Sequence, residues 1–172
     1  MLAQLVLGSF TGLRIGISTV KAFCDVTNIP VCSVSSLESL AYNLSDLGLI
    51  ACMIDAKNEN VYFALFSHTE SGYTKIEDFC LANIHNIISK LDKYKNETIH
   101  FIGDATSLYH DLISANLTNI SFANDNQNMQ SSVSVGRAAY DKFQKGDYGQ
   151  SDKLSPLYLR KSQAERALDG EK

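Results

Sequence analysis

Long hydrophobic stretches are missing from this 172-residue chain. No apolar run approaches the roughly 20 residues that a membrane-spanning helix needs. The opening MLAQLVL also lacks the positive charge and the length of a signal peptide. Four cysteines, Cys24, Cys32, Cys52 and Cys80, form no C-x-x-C pair, and most of them lie in apolar runs. We therefore expect a cytoplasmic protein with reduced, buried thiols, without a disulfide or a zinc site.

The common catalytic and phosphate-binding motifs are absent as well. The four histidines never form H-E-x-x-H, and no carboxylate cluster stands beside them, so a metallohydrolase site has no support. Neither G-x-x-x-x-G-K-[ST] nor G-x-G-x-x-G occurs. The formal net charge of -4 argues against a chain that binds nucleic acid by itself through phosphate neutralisation. The sequence thus predicts no metal and no cofactor.

Hydrophobic periodicity predicts a mixed α/β fold. Strands are predicted at residues 2–7, 31–34, 49–55, 61–68, 73–79, 98–103 and 119–123. Helices are predicted at residues 11–25, 35–44, 84–91, 104–113 and 135–143, the second of them opened by a capping box of Ser35 and Glu38. The strands from residue 49 onward resemble a ribonuclease-H-like lobe, in which three antiparallel strands are followed by parallel ones.

Three glycines, Gly8, Gly12 and Gly16, recur four residues apart at the start of the first predicted helix. A glycine inside a helix costs about 1 kcal/mol relative to alanine, so this spacing needs a reason. One interpretation is an anion site at the helix N-terminus, with Ser9 or Thr11 as the cap. The other is a flat stripe that lets a second backbone come close.

The apolar residues of this helix favour the packing interpretation. One set at helical spacing consists of Leu13, Ile17, Val20 and Cys24, and a second apolar face carries Ile15, Ala22 and Phe23. A helix that is apolar on two faces must be buried on more than one side. We therefore expect this helix to pack inside its own lobe and also against a partner.

Five landmarks of the sequence resemble, in order, those of the TsaB family, which is also called YeaZ. They are GSFTGLRIGISTVKAF, VSSLESLA, IDAKNENVYFALF, FIGDATSLY and PLYLRKSQAE, and together they extend over nearly all of residues 8–165. One departure is that the family usually reads G-P-G-S-F, where this chain has Val6, Leu7 and Gly8. The resemblance implies an α/β protein with an actin-like, sugar-kinase-like fold of two ribonuclease-H-like lobes.

Relative to that pattern, the first strands and the first helix of the family are missing, which is about 60 residues. The resemblance therefore implies one partial first lobe plus one complete second lobe. We expect the partial lobe at residues 1–45, with the C-terminal tail packing back on it through Tyr158 and Arg160. The complete lobe is expected at residues 46–172.

The resemblance also implies a function. A TsaB-type protein is a non-catalytic scaffold or activating subunit of the tRNA threonylcarbamoyladenosine-forming complex. Its implied partners are a TsaD-type catalytic subunit and a TsaE-type ATPase, with tRNA bound only through the complex and a homodimer as a further possibility. The implied interface lies on the glycine-bearing helix and consists of Gly8, Ser9, Phe10, Thr11, Gly12, Leu13, Arg14, Gly16, Ile17 and Val20.

Two other hypotheses are compatible with the residues. The first is a nucleotide-dependent enzyme of the actin-like superfold, with Asp55 and Asp104 as candidate site residues. Against it, the AKNEN turn after Asp55 has no glycine and carries Glu59, so phosphate cannot approach the backbone closely there. For Asp104 we expect a helix N-cap. The second hypothesis is a self-associating fragment without activity.

Overall fold

The structure is a computed structural model that describes residues 2–5, 10–156 and 159. Among these residues the alternating hydrophobic patterns form seven strands and six helices. The strands are β1 (Leu2–Leu5), β2 (Cys32–Ser35), β3 (Gly48–Asp55), β4 (Asn60–Thr69), β5 (Gly72–Asn83), β6 (Ile99–Ile102) and β7 (Ile120–Phe122). The helices are α1 (Phe10–Thr27), α2 (Ser36–Ala41), α3 (Ile84–Leu91), α4 (Asp104–Leu108), α5 (His110–Asn116) and α6 (Ser132–Gln144). Short 3₁₀ turns lie at Asp92–Tyr94 and Ser151–Lys153.

The chain divides into two units. The central unit is Leu37–Ala138, and the terminal unit joins Met1–Ser36 to Ala139–Lys172. The predicted mixed α/β class is confirmed. The assignment of the units to a partial and a complete lobe stays a prediction, and the tail contacts expected of Tyr158 and Arg160 lie outside the described residues.

The central unit contains a five-stranded sheet in the order β5-β4-β3-β6-β7. Strand β4 is antiparallel to both β3 and β5, whereas β6 runs parallel to β3 and β7 runs parallel to β6. This order confirms the predicted topology of three antiparallel strands followed by parallel ones. The middle strand β3 has Ile50, Ala51, Cys52 and Met53 fully buried, as expected of a strand that is covered on both faces.

Helix α3 covers the core of the central unit. Its apolar residues Ile84, Ile87, Ile88 and Leu91 recur at helical spacing and are all buried, which confirms the predicted amphipathic helix. The helix begins at an N-cap, because the Asn83 side chain accepts a hydrogen bond from the His85 N–H at 3.0 Å. Each such apolar side chain stabilises the unit by about 1.5–3 kcal/mol when it is fully buried.

The terminal unit contains a two-stranded parallel sheet of β1 and β2, joined by α1. The predicted first strand is confirmed for residues 2–5, and residues 6–7 lie outside the described part of the chain. An antiparallel bridge next to β2 connects Val31 and Gly149, whose backbone groups bond each other at 2.9 and 3.0 Å. The core of this unit is formed by Ile17, Cys24, Val31 and Leu154.

Several element boundaries differ from the prediction, and three of the differences have a visible cause. The helix expected at 104–113 breaks at Tyr109, whose φ of -110° and ψ of 16° are not helical. The helix expected at 35–44 ends at Ala41, because the Asn43 amide turns away to donate to the carbonyls of Gln127 and Met129. Strand β5 continues to Asn83, well beyond the expected end at residue 79, since it stays paired with β4.

Three of the four thiols are buried, as the sequence predicted. They are Cys24, Cys32 and Cys52, whereas Cys80 is half-buried. Burial raises the pKa of the Cys52 thiol well above its ordinary value. Within the described ranges, no helix has both the length and the apolar character needed to cross a bilayer.

One ion-pair cluster anchors strand β5 to the segment after it, and it predicts a pH dependence of stability. Glu77 accepts from Lys90 at 2.7 Å and from Lys93 at 2.6 Å. Hydrogen bonds from Lys90 and Lys93 lower the pKa of Glu77 from 4.5 to about 2. Because the folded pKa is depressed, the stabilisation is fully present above pH 4.5 and is lost as the pH falls toward 2.

Glu77→Gln should therefore lower the free energy of unfolding at pH 7 by about 1–2 kcal/mol. This is less than the full pKa shift corresponds to, because solvent screens the charges of the two exposed lysines. The gap between the two proteins should close below pH 3, as measured by urea unfolding at several pH values. Asp78→Asn is the matched control, since Asp78 is a highly exposed neighbour paired with Lys75, and it should change little. An equal gap for Glu77→Gln at pH 7 and pH 3 would contradict this assignment.

Candidate protein interface on helix α1

Helix α1 has an inner face that packs inside the terminal unit. Ile17 and Cys24 are buried, and Leu13 and Val20 are half-buried against the same core. These four positions are the first apolar set that the sequence predicted. Their burial fixes which side of the helix is left to solvent.

The opposite side of α1 is apolar and exposed. Ile15, Phe23 and Val26 are 63%, 53% and 85% exposed. We call the stripe that contains them the outer face, which consists of Gly12, Ile15, Gly16, Thr19, Ala22, Phe23 and Val26, all of them exposed. Their spacing of three and four residues places them along one side of the helix. The predicted second apolar face is confirmed.

The hydroxyl groups near this face are already hydrogen-bonded within the helix. The Thr19 hydroxyl donates to the carbonyl of Ile15 at 2.9 Å, and the Thr27 hydroxyl donates to the carbonyl of Phe23 at 2.7 Å. Because these groups are satisfied without water, the outer face can be dehydrated at a low cost in hydrogen bonds. The face is therefore suited to contact with another apolar surface.

At Gly16 the outer face of α1 has no side chain, and the space above the backbone is open. A Cβ placed on Gly16 meets no heavy atom within 4 Å among the described residues. A flat spot in the middle of an exposed apolar stripe permits the close approach of a second backbone.

The interface residues expected from sequence separate into three groups. Gly8 and Ser9 lie outside the described residues, and Phe10 is the first residue of α1. Gly12, Gly16, Thr11 and Arg14 are exposed. Leu13, Ile17 and Val20 belong to the inner face, where they pack against the core of the terminal unit.

Five residues of the outer face were not part of the expected interface: Ile15, Thr19, Ala22, Phe23 and Val26. Of these, Thr19 and Val26 were also not assigned to the second apolar face. Both fall at helical spacing from Gly12 and Ile15 on the outer face. The signal that was available is this spacing, which continues the stripe for a full turn beyond Phe23. Val26 is the most exposed apolar residue of α1.

A second candidate site lies where the carboxyl ends of β3 and β6 meet, at Asp55 and Asp104. The Asp104 carboxylate accepts from the backbone N–H of Asp55 at 2.9 Å, and no side chain caps α4. The expected N-cap role of Asp104 is therefore wrong, because this carboxylate connects two strand ends instead. Gly103 supplies the turn between β6 and α4 with φ of +112°.

The negative charge of Asp55 is compensated by Lys57, in the hairpin turn that follows it. The Lys57 ammonium donates to Asp55 at 2.5 Å, and the Lys57 backbone N–H donates to the same carboxylate at 2.9 Å. Burial raises the pKa of Asp55 and the Lys57 hydrogen bonds lower it, with a net result below its usual value. Among the described residues no group of three or more histidine, cysteine, aspartate or glutamate side chains is arranged to hold a metal ion.

A profile of the family described as "TsaD: tRNA N6-adenosine threonylcarbamoyltransferase" matches residues 8–168. The chain belongs to the TsaD family. Within this family it is 33% identical over 110 residues to the tRNA threonylcarbamoyladenosine biosynthesis protein TsaB of Bacillus subtilis (strain 168). That alignment covers 62% of this chain and 46% of the relative, so the chain spans about half the length of the curated protein it matches.

Solved structures of TsaB-like proteins share the fold. A Pseudomonas aeruginosa protein with similarity to peptidase YEAZ has a TM-score of 0.72 at 18% identity, covering 92% of this chain and 72% of that one. YeaZ from Pseudomonas aeruginosa has a TM-score of 0.71 at 18% identity, covering 91% and 73%. At this identity the likeness establishes the fold alone. Together with the TsaD-family profile and the curated relative, it confirms the resemblance to the TsaB (YeaZ) family.

Proposed function

We propose that this TsaD-family chain is a non-catalytic scaffold subunit of the machinery that forms threonylcarbamoyladenosine in tRNA. Its partner is a TsaD-type catalytic subunit, which acts together with a TsaE-type ATPase, and tRNA is bound only through the assembled complex. The observation that carries this proposal is the outer face of α1, an apolar stripe left to solvent on a helix whose other side is buried.

The exposure of this stripe costs free energy unless a partner covers it. Burying a side chain such as Ile15, Phe23 or Val26 contributes about 1.5–3 kcal/mol. Exposed apolar surface concentrated on one helix is typical of interaction sites. The outward gap at Gly16 favours a partner helix whose backbone lies close to α1. By its similarity to TsaB, the first candidate for that helix belongs to a TsaD-type subunit.

The geometry at Asp55 and Asp104 supports a non-catalytic role. Actin-like enzymes use a hairpin turn to approach a phosphate, but here the turn is formed by Lys57, Asn58 and Glu59, all with positive φ and all with side chains. The side chains on all three turn residues keep a phosphate from approaching the backbone closely.

The terminal unit supports the idea that the active form is longer. In the described part of the chain β1 pairs only with β2, whereas parallel sheets are normally larger and covered on both faces. We propose that the terminal unit is the partial first lobe and that further strands complete its sheet beside β1. The self-associating fragment remains the competing hypothesis, since a second copy could cover the same outer face.

Gly16→Leu should weaken association without harming the fold. The new side chain projects from the outer face, where a partner backbone must approach. Overpacking costs about 1–3 kcal/mol, so binding to a TsaD-type subunit should weaken by about 10- to 100-fold. The free energy of unfolding should stay the same or rise slightly, because leucine forms helices better than glycine. Sedimentation velocity and chemical unfolding measure the two quantities.

Gly136→Leu is the matched control, since Gly136 lies in helix α6 and its Cβ position is also empty. It should leave the association constant unchanged. Equal affinities of wild type and Gly16→Leu would place the interface elsewhere. Binding only to a second copy, with none to the TsaD-type subunit, would favour the fragment hypothesis over the scaffold.

A further inference from the structure

A cleft in the terminal unit is unrelated to the outer face of α1. It has a volume of about 270 Å³, large enough for a flat organic group. Its lining consists of Val31, Ser33, Asp147, Tyr148, Gly149 and Leu154. None of these residues takes part in the function proposed above.

The backbone of this cleft is fixed at both ends. Helix α6 ends at Gln144 and is followed by Gly146, whose φ is +76°, and the Asp147 N–H donates to the carbonyl of Lys142 at 2.8 Å. This pattern closes the helix in a Schellman-type turn. Two residues later, the bridge between Gly149 and Val31 ties the segment to the sheet. The cleft wall is therefore preorganised, which lowers the entropic cost of binding.

Tyr148 is the aromatic residue of the cleft lining. Its ring stacks on Phe143, which is not among the lining residues, with the centroids 4.8 Å apart at an interplanar angle of 28°. Tyr148 is nevertheless 49% exposed, and the contact with Phe143 holds its ring in place for a planar ligand.

The charged group of the cleft is a carboxylate. The Asp147 side chain is 72% exposed, and the ammonium of Lys142 lies 3.7 Å from it, beyond hydrogen-bond distance. That ammonium donates instead to the backbone carbonyl of Ser33 at 2.8 Å. The carboxylate therefore keeps oxygens that face solvent and can accept hydrogen bonds from a ligand.

We propose that this cleft binds the guanidinium group of an arginine side chain from a partner polypeptide. A guanidinium is a planar cation that stacks on aromatic rings and donates two parallel hydrogen bonds to a carboxylate. Tyr148 and Asp147 supply these two elements side by side in the sequence and in the cleft lining. A nucleotide would also stack, but its phosphates would meet the charge of Asp147 in a chain that is already net negative.

The test is an NMR titration of the full chain with small probe molecules. The amide chemical shifts of residues 147–149 report binding. N-acetyl-arginine amide should give saturable shifts with a dissociation constant in the millimolar range, as expected for a single side chain. The citrulline analogue, which has the same shape without the charge, should bind at least about tenfold more weakly. Asp147→Asn and Tyr148→Leu should each weaken arginine binding by about five- to tenfold, whereas Tyr148→Phe should retain it.

Asp125→Asn is the control for the loss of a charge, because Asp125 is exposed in the central unit, and it should bind like wild type. The same spectra report whether each variant is folded. Three outcomes would overturn the proposal: no saturable shift with the arginine probe, equal binding of the citrulline probe, or an unchanged affinity in Asp147→Asn. Adenosine binding more tightly than the arginine probe would reassign the cleft to a nucleobase. The inference does not depend on the proposed function.

Discussion

A chain that carries Gly103→Ala is expected to lose the folded central unit. A Cβ at this position would lie 2.0 Å from the carbonyl oxygen of Met53 and 2.9 Å from its carbon. Both atoms belong to the buried strand β3 and cannot move aside. The backbone φ of +112° is also strongly unfavourable for any residue with a Cβ. We expect a loss of more than about 4 kcal/mol, a large share of the stability of a typical domain.

Gly146→Ala is the control that introduces backbone strain without a steric clash. Gly146 has φ of +76°, but its Cβ position meets nothing within 4 Å among the described residues. It should cost only about 1–2 kcal/mol. Urea unfolding followed by circular dichroism compares the two variants. Similar losses at both positions would mean that the Met53 contact is relieved by a shift of β6 and that our account of the strand end is wrong.

Phe23→Asp should abolish the function of the chain in cells while leaving it folded. The substitution places a charge in the middle of the outer face of α1. A charge buried without a partner in an interface costs several kcal/mol, so the affinity for a TsaD-type subunit should fall by more than about 100-fold. The assay is complementation of a strain depleted of its own TsaB, with mass spectrometry of threonylcarbamoyladenosine in digested tRNA.

The comparison is made between variants of the same chain. Ser18→Asp is the control, since Ser18 is exposed on α1 but lies off the outer face, and it should still complement. Full activity of Phe23→Asp would exclude the outer face as the interface. Failure of the unaltered chain to complement would count against the scaffold role itself.

The hydrophobic periodicity of the sequence predicted most of the helices and strands. It did so because an apolar pattern with a given period can be buried on one side only in the secondary structure that has the same period. The stripe of α3 and the continuous apolar run of β3 are examples. The two faces of α1 were also predicted, but which of them is buried depends on Val31 and Leu154. Val31 lies beyond the end of α1, and Leu154 lies more than a hundred positions further along the chain, so no local pattern assigns the inner face.

The errors have the same origin in long-range contacts. Asp104 has the composition and position of an N-cap, and only its spatial neighbour Asp55 makes its carboxylate a link between strands. The early end of α2 depends on carbonyls more than 80 residues away, which accept from Asn43. The cleft beside Tyr148 likewise combines Ser33 with residues near the end of the chain. No single stretch of sequence contains it.

The terminal unit is built from two segments that lie on either side of the central unit in the sequence, and this affects the order in which the protein acquires structure during translation. The ribosome releases Leu37–Ala138 as one uninterrupted stretch, so the central unit can fold while synthesis continues. The contacts of Val31 with Gly149 and of Ile17 with Leu154 form only after residues 149 and 154 have been made. Helix α1 is therefore made before the central unit but packs after it. During that interval both of its apolar faces are open, so a nascent chain is most exposed to chaperones, or to premature assembly, at this helix.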